Sequence, residues 1–463
     1  MFFSLRLNAI APLMVLLAGM PACAADRPNI VAIVTDDQAR WAVGAYGNTE
    51  IQTPHMDRIA REGALFRNAT TATPVCSPSR ATYFSGRWPS EVKIHDWIAP
   101  DEAAAGVGLN ETTWPALLQQ SGYRTALIGK WHLGDRPQFH PHQKGFDHFF
   151  GFLGGGNKPM NPTLEVEGKE QQLTGPLPDL LTDSAIDFVR KNQAGPFLVC
   201  LHFRAPHLPY LPVPDEDSAH YKDLDPSIPD LPDSNPDVLK KWQRDYYSSI
   251  SSVDRNIGRV LATLDELKLT DNTLVLFTSD HGYNNGRHGV DTKGNGQWWR
   301  GGVRGPKRPN MWETSITVPL LVRWPSVVKP GDVVDEPVQN LDMFRTMLGV
   351  AGVTLPEGLT VHGRDYSPRL RGRPLEPVPA VFGMYDLHNG GLAYMRMIRT
   401  DRFKLIRHFR ARGMDELYDL QKDPDEEKNL INAKGQADVL QKLQSDLTAW
   451  QESINDPVLS DAY

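Results

Sequence analysis

Four short apolar runs, each ending in charged or imidazole side chains, constrain this chain more than any other feature. They are Asn29 to Val34 before Asp36-Asp37, Tyr123 to Ile128 before the GKWHLG segment, Phe197 to Phe203 before RAPHLPY, and Thr273 to Thr278 before SDHG. A continuous aliphatic run of about six residues reads as a strand buried on both faces. Stretches of helical spacing lie between the runs: Thr53 to Gly63, Thr113 to Gln120, Leu181 to Asn192, and Val238 to Leu267 with Ile250, Val253, Ile257, Val260, Leu261 and Leu264 along one face. Val318 to Trp324 reads as one more strand. This alternation predicts an α/β fold, a large, mostly parallel sheet sandwiched by helices. The ligand crevice of such a sheet lies beyond the carboxyl ends of its strands, where all four polar clusters fall.

After about residue 375 the pattern changes. Leu392 to Ile398, Phe403 to Arg407 and Glu416 to Leu420 read as short strands, followed by a helix from Gln436 to Ser453. The expected organisation is a catalytic α/β domain over 25–375 and a smaller C-terminal subdomain over 376–463, an antiparallel sheet plus the terminal helix. Residues 1–24 read as a signal peptide. Arg6 precedes an apolar run from Ala9 to Met20 that is too short to span a bilayer, and Ala22-Cys23-Ala24 supplies a small-x-small cleavage pattern. The expected location is periplasmic or secreted, with lipoprotein anchoring through Cys23 ranked second. A net charge of −7 over 463 residues argues against a nucleic-acid surface.

Two cysteines follow the leader. Cys200 sits in FLVCLHF and reads as a small hydrophobe in a buried strand. Cys76 sits in PVCSPSR, which is not a core pattern; a disulfide between the two is the alternative. Ser77 suits an N-cap and Pro78 the first helical position, so Cys76 would stand at the positive end of a helix with Arg80 in its first turn. A thiol so placed could by itself be an ordinary thiolate nucleophile. Asp36, Asp37, Asp280 and His281 combine three carboxylates with an imidazole, a set suited to a hard divalent cation, although Asp36-Asp37 alone would equally suit a helix N-terminus.

The Cys76-Ser77-Pro78-Ser79-Arg80 run, followed by ATYFSGR, resembles the signature of the formylglycine-dependent sulfatase family of the alkaline phosphatase superfamily. TDD, GKWHLG, APHLPY, LFTSDHG and LYDLQKDPDEEKNL match family patterns in the same order, from about Asn29 to Asn429. The resemblance implies that a separate maturase converts Cys76 to formylglycine (3-oxoalanine). It implies Ca²⁺, with Mg²⁺ or Mn²⁺ as alternatives, held by Asp36, Asp37, Asp280 and His281 with the modified Cys76. Arg80 would help activate the nucleophile, Lys130 and His132 would bind sulfate and handle a proton, and His207 would be the general acid. The match loosens near Lys307-Arg308. The family's lysine stands five residues before an acidic one, and five before Glu313 is Arg308, so sulfate binding falls to Arg308, with Lys307 as the alternative.

The implied activity is hydrolysis of sulfuric esters on a polysaccharide or oligosaccharide. The alternatives are a phosphonate monoester or phosphodiester hydrolase, and a carbohydrate-binding pseudosulfatase that keeps Cys76 as a thiol. Trp97, Trp298 and Trp299, with Arg300, Arg304 and His388, are candidate sugar contacts.

Overall fold

The computed structural model describes residues 27–231, 234–300 and 303–460. The leader reading of 1–24, with Cys23, lies outside the described residues.

The Asn29–Asp36 strand is buried along its whole length and runs through the middle of a ten-stranded sheet. Phe197–Pro206 and Thr273–Ser279 flank it in parallel. Arg124–Lys130 and then His148–Phe152 extend the parallel block. At one edge Leu320–Arg323 pairs antiparallel with Thr273–Ser279, and Ala64–Phe66 and Asp332–Val334 follow. At the other edge Thr163–Val166 and Lys169–Gln172 add an antiparallel hairpin. The sheet is thus mixed, with its parallel strands at the centre.

Alternation along the strands sends side chains into two separate cores. Ile30, Ala32, Val34, Leu198, Cys200, Leu274 and Leu276 face one side, where they meet Phe84, Trp114 and Phe344. Val31, Ile33, Val199, Leu201, Val275 and Phe277 face the other, against Leu181, Ile250, Val253 and Ile257 of the helices Leu177–Asn192 and Pro236–Glu266. Both faces are covered, which is why the central strands carry no polar alternation. Cys200 is fully buried in the first core, and both it and Cys76 are free thiols, so the disulfide alternative is not realised.

The helix carrying the cysteine motif spans Cys76–Ser85 and is buried at every position. It starts two residues earlier than its capping signals suggest. Val75 takes the N-cap position, and Ser77 Oγ accepts instead from the Ile98 amide at 3.0 Å. Gly86, at φ +63°, ends the helix in a left-handed conformation that glycine adopts without a Cβ clash.

The C-terminal unit is a four-stranded antiparallel sheet of Val381–Leu387, Ala393–Arg399, Phe403–His408 and Glu416–Asp419, with the helix Ala437–Ser453 packed on it. The first of these strands was not expected. It braces the segment leading into the cysteine helix: Met384 N donates to Ala72 O at 2.9 Å, and Thr73 Oγ donates to Met384 O at 2.7 Å.

Candidate active site

Four adjacent parallel strands deliver their carboxyl ends to one place. Asp36 is the last residue of its strand, and Asp37 follows in a left-handed conformation at φ +67°. Lys130 closes its strand, His132 stands two residues on at φ +60°, and His207 follows Pro206. Asp280 and His281 follow Ser279. The cysteine helix points its N-terminus at the same spot, so unsatisfied backbone N–H groups favour an anion there.

The side chains converge. Oxygens of Asp36 and Asp280, a His281 nitrogen and Cys76 Sγ all lie within 4.8 Å of one another. Cys76 Sγ is 3.6 Å from Asp36 Oδ1. Lys130 Nζ donates to Asp36 Oδ2 at 2.6 Å, and Arg80 Nε to Asp280 Oδ2 at 2.9 Å. His207 sits at the rim, with Nε2 3.8 Å from Asp37 Oδ2. Its Nδ1–H donates to the Leu208 carbonyl at 2.7 Å. Arg204, buried beneath, donates to the Leu208 and Pro209 carbonyls and so holds this loop.

His281 provides the test of whether a cation fits. Its Nδ1–H donates to the Gly282 carbonyl at 2.9 Å. Nε2 therefore faces Asp37 at 3.3 Å, Asp280 at 3.4 Å and Asp36 at 3.8 Å, and it is buried with no hydrogen-bond partner. Burial alone would lower this imidazole's pKa; Asp280 and then Asp37 outweigh it and, with Cys76, raise it to about 9. A divalent ion satisfies the same carboxylates in place of that proton, and the oxygen-rich donor set suits a hard one.

Lys293 was missed from the sequence. Its Nζ donates to Asp37 Oδ1 at 2.7 Å and to Cys76 Sγ at 3.1 Å. Arg308 and Lys307, expected to bind sulfate, are engaged elsewhere. Arg308 pairs with Glu416 at 3.1 Å and lies over the Trp312 ring, while Lys307 Nζ donates to Asn295 O at 2.8 Å. A hairpin, Gln297–Arg300 with Val303–Lys307, lies between Lys293 and Glu313, so Lys293 stands much farther than five residues from the acidic one. The usable signal was a lysine between Thr292 and Gly294 in the long polar loop.

The electrostatics favour anions at position 76. Burial and Asp36 would raise the Cys76 thiol, but Lys130, Lys293 and the neighbouring His281 outweigh them and bring it to about 6. Burial would also raise Asp36, yet Lys130, His207, Lys293 and Arg80 hold it well below the usual carboxylate range. Burial and the neighbouring Lys130 keep His132 neutral. His132 Nε2–H donates to the Ile98 carbonyl at 3.1 Å, leaving the buried Nδ1 lone pair free.

This cluster forms one end of a cavity of about 840 Å³, lined also by Trp97, Phe152, Leu153, Gly154–Gly156, Glu165, Glu170 and Leu208. Trp97 thus reaches the cavity. Trp299 instead stacks on Trp242 at 4.5 Å, Trp298 packs beside the core of the C-terminal sheet with Arg300 over its ring, Arg304 pairs with Asp291 at 2.9 Å, and His388 pairs with Glu102 at 2.6 Å.

Comparison with known proteins decides the family. The pattern described as "Sulfatase" matches residues 28–353. The chain belongs to the sulfatase family. A second pattern, "N-sulphoglucosamine sulphohydrolase, C-terminal", matches 306–453. An N-acetylglucosamine-6-O-sulfatase of Bacteroides thetaiotaomicron is 29% identical, over 93% of this chain and 88% of its own length. The steryl-sulfatase of Rattus norvegicus is 32% identical, over 74% of this chain and 70% of its own. A solved structure described as in complex with its substrate D-glucosamine-2-N,6-O-disulfate superposes with a TM-score of 0.81 at 27% identity, covering 94% of this chain and all of that one. This sulfatase is therefore a sulfuric ester hydrolase. Among its described residues no helix is long and apolar enough to cross a membrane.

Proposed function

We propose that this sulfatase removes sulfate from a sulfated carbohydrate after a maturase has converted Cys76 to formylglycine. The observation that carries the reading is the position of Cys76. It stands at a helix N-terminus, 3.1 Å from Lys293 Nζ and 3.6 Å from Asp36 Oδ1, at the end of a cavity large enough for a sugar. Similar proteins have been solved with sugars, one in complex with its substrate D-glucosamine-2-N,6-O-disulfate and one in complex with k-i-k-neocarrahexaose, which supports a carbohydrate substrate. Hydrated formylglycine at this position would supply one hydroxyl to attack sulfur and a second to allow release of the sulfate. A divalent cation, Ca²⁺ or alternatively Mg²⁺ or Mn²⁺, held by Asp36, Asp37, Asp280 and His281, would polarise a sulfuryl oxygen and the attacking hydroxyl.

The chain's own side chains do the rest. Lys130 and Lys293 present ammonium groups to the charge that builds on the sulfuryl oxygens. Arg80, held by Asp280, adds a fixed guanidinium behind the nucleophile. His207 protonates the departing sugar oxygen through Nε2, since Nδ1 is committed to Leu208. His132, neutral and with Nδ1 free, takes the proton that must leave before sulfate is expelled. The leader reading adds export to the periplasm or the medium, where a polysaccharide would be met.

Mass spectrometry of the peptide containing Cys76, after co-expression with a maturase, tests the modification. Sulfate release from sulfated oligosaccharides, with Cys76→Ala as control, tests the reaction. An intact thiol with sugar binding and no turnover would instead establish a pseudosulfatase. Preference for phosphonate or phosphodiester substrates would establish the other alternative.

A further inference from the structure

The catalytic cavity is polarised along the sheet. Among the described residues that line it, the ammonium groups are Lys130, against Asp36, and Lys293, against Cys76, both in the catalytic cluster. Strand register sets out what lies in the other direction. Gly129 pairs with Gly151, Gly151 with Glu165, and Glu165 with Glu170, so these residues form a row across the sheet from the lysine end outward. At the usual spacing of neighbouring strands, Glu165 lies about 10 Å and Glu170 about 15 Å along that row. Both glutamates line the cavity, as does Asp135.

Glu165 and Glu170 oppose each other directly in an antiparallel pair, an arrangement that like charges destabilise. His140 meets Glu165 at 3.0 Å, whereas Glu170 is exposed. Arg304, Arg308 and Lys307 do not line the cavity and are engaged with Asp291, Glu416 and the Asn295 carbonyl. One end of the cavity therefore attracts a single anionic group, and the other repels a second.

Building on the carbohydrate reading above, we propose that Glu165 and Glu170 select against a second negative charge, so that the preferred substrate is a singly sulfated sugar whose far side carries hydroxyl, amide or amine groups instead of a carboxylate or another sulfate. The repulsion acts across the open cavity, most freely from the exposed Glu170, and weakens with salt.

The test uses the matured, metal-loaded enzyme and hexosamine O-monosulfates in matched N-acetyl and N-sulfated forms, which differ by one charge. The expected kcat/KM ratio of N-acetyl to N-sulfated substrate is about tenfold or more at low salt, falling below about threefold in E165Q/E170Q. The ratio is read within each protein, so a general loss of activity cancels. Should the double variant fail to fold, E170Q, at the exposed position, is expected to narrow the ratio about threefold. A wild-type ratio near one, or a ratio unmoved by these substitutions, overturns the proposal. Turnover of an aryl sulfate with none of any sugar sulfate would instead overturn the carbohydrate reading, and this proposal with it.

Discussion

Two lysines enter the catalytic cluster from different parts of the chain, Lys130 from a strand end against Asp36 and Lys293 from a loop against Cys76. Each is buried against a carboxylate, Lys130 against Asp36 and Lys293 against Asp37, which holds it aimed. If both meet the sulfuryl oxygens, Lys293→Ala should lower kcat of the folded enzyme about 100-fold or more, a loss far larger than any fall in stability from unpairing Asp37 explains. Arg308→Ala should do the reverse. Its guanidinium is spent on the buried Glu416, so removing it should cost about 2–3 kcal/mol of stability while kcat falls less than about threefold. Sulfate release and thermal melts on the two variants distinguish these outcomes, and equal kinetic losses would return Arg308 to the sulfate.

At the scale of elements, the loop after the His148–Phe152 strand controls one imidazole. A methyl group on Gly155 would lie 2.6 Å from both Cε1 and Nε2 of His132, closer than such atoms approach. His132 has little room to yield, because its backbone is left-handed and its Nε2–H is bound to Ile98. Gly155→Ala should therefore displace the ring and lower kcat about 10- to 100-fold, while the half-exposed loop leaves global stability nearly intact. Gly154→Ala, with open space around its Cβ position, is the control and should lose little. Similar losses in both would show that the loop tolerates no substitution, and that contact with His132 is not the cause.

At the scale of the molecule, buried ion pairs lie between the α/β unit and the C-terminal sheet. Glu313 meets Arg399 at 2.9 Å and Lys404 at 3.2 Å. Glu416 meets Arg308 and His408, each at 3.1 Å. Burial would raise both carboxyls. Lys404 and Arg399 outweigh it at Glu313, and His408, Arg308 and Tyr418 at Glu416, so that each is brought from the ordinary 4.5 down to about 2. A depressed carboxyl stabilises the folded state fully above its unfolded pKa, and that contribution is lost as pH falls through the folded value. The C-terminal sheet should therefore loosen between about pH 4.5 and 2, seen as a falling melting temperature and faster proteolysis beyond residue 380. Glu416→Gln should show a shallower fall over that window. An equally steep fall would assign the acid sensitivity to other groups. Because the same sheet braces Ala72 and Thr73, its loosening should also cost activity before global unfolding.

Asp36, Asp37, Lys130, His132, His207, Asp280 and His281 were all legible in the chain, because each adjoins a continuous apolar run and a parallel sheet must deliver strand ends to one edge. Cys76 and Arg80 were legible through their motif, although the helix begins two residues sooner than the capping signals indicated. Three things depended on tertiary structure. Lys293 reaches Cys76 only because the loop after His281 folds back, and a hairpin separates it from Glu313 along the chain. The antiparallel sense of Leu320–Arg323 and the existence of Val381–Leu387 are set by which neighbours they pair with, and the latter run is interrupted by Gly383. The cavity's polarity is likewise a matter of register, since Glu165 and Glu170 acquire meaning only when hydrogen bonding sets them in line with Gly151. Local pattern specifies which segments are buried and what stands at their ends, whereas contacts between distant segments are decided by packing, which no single stretch of sequence contains.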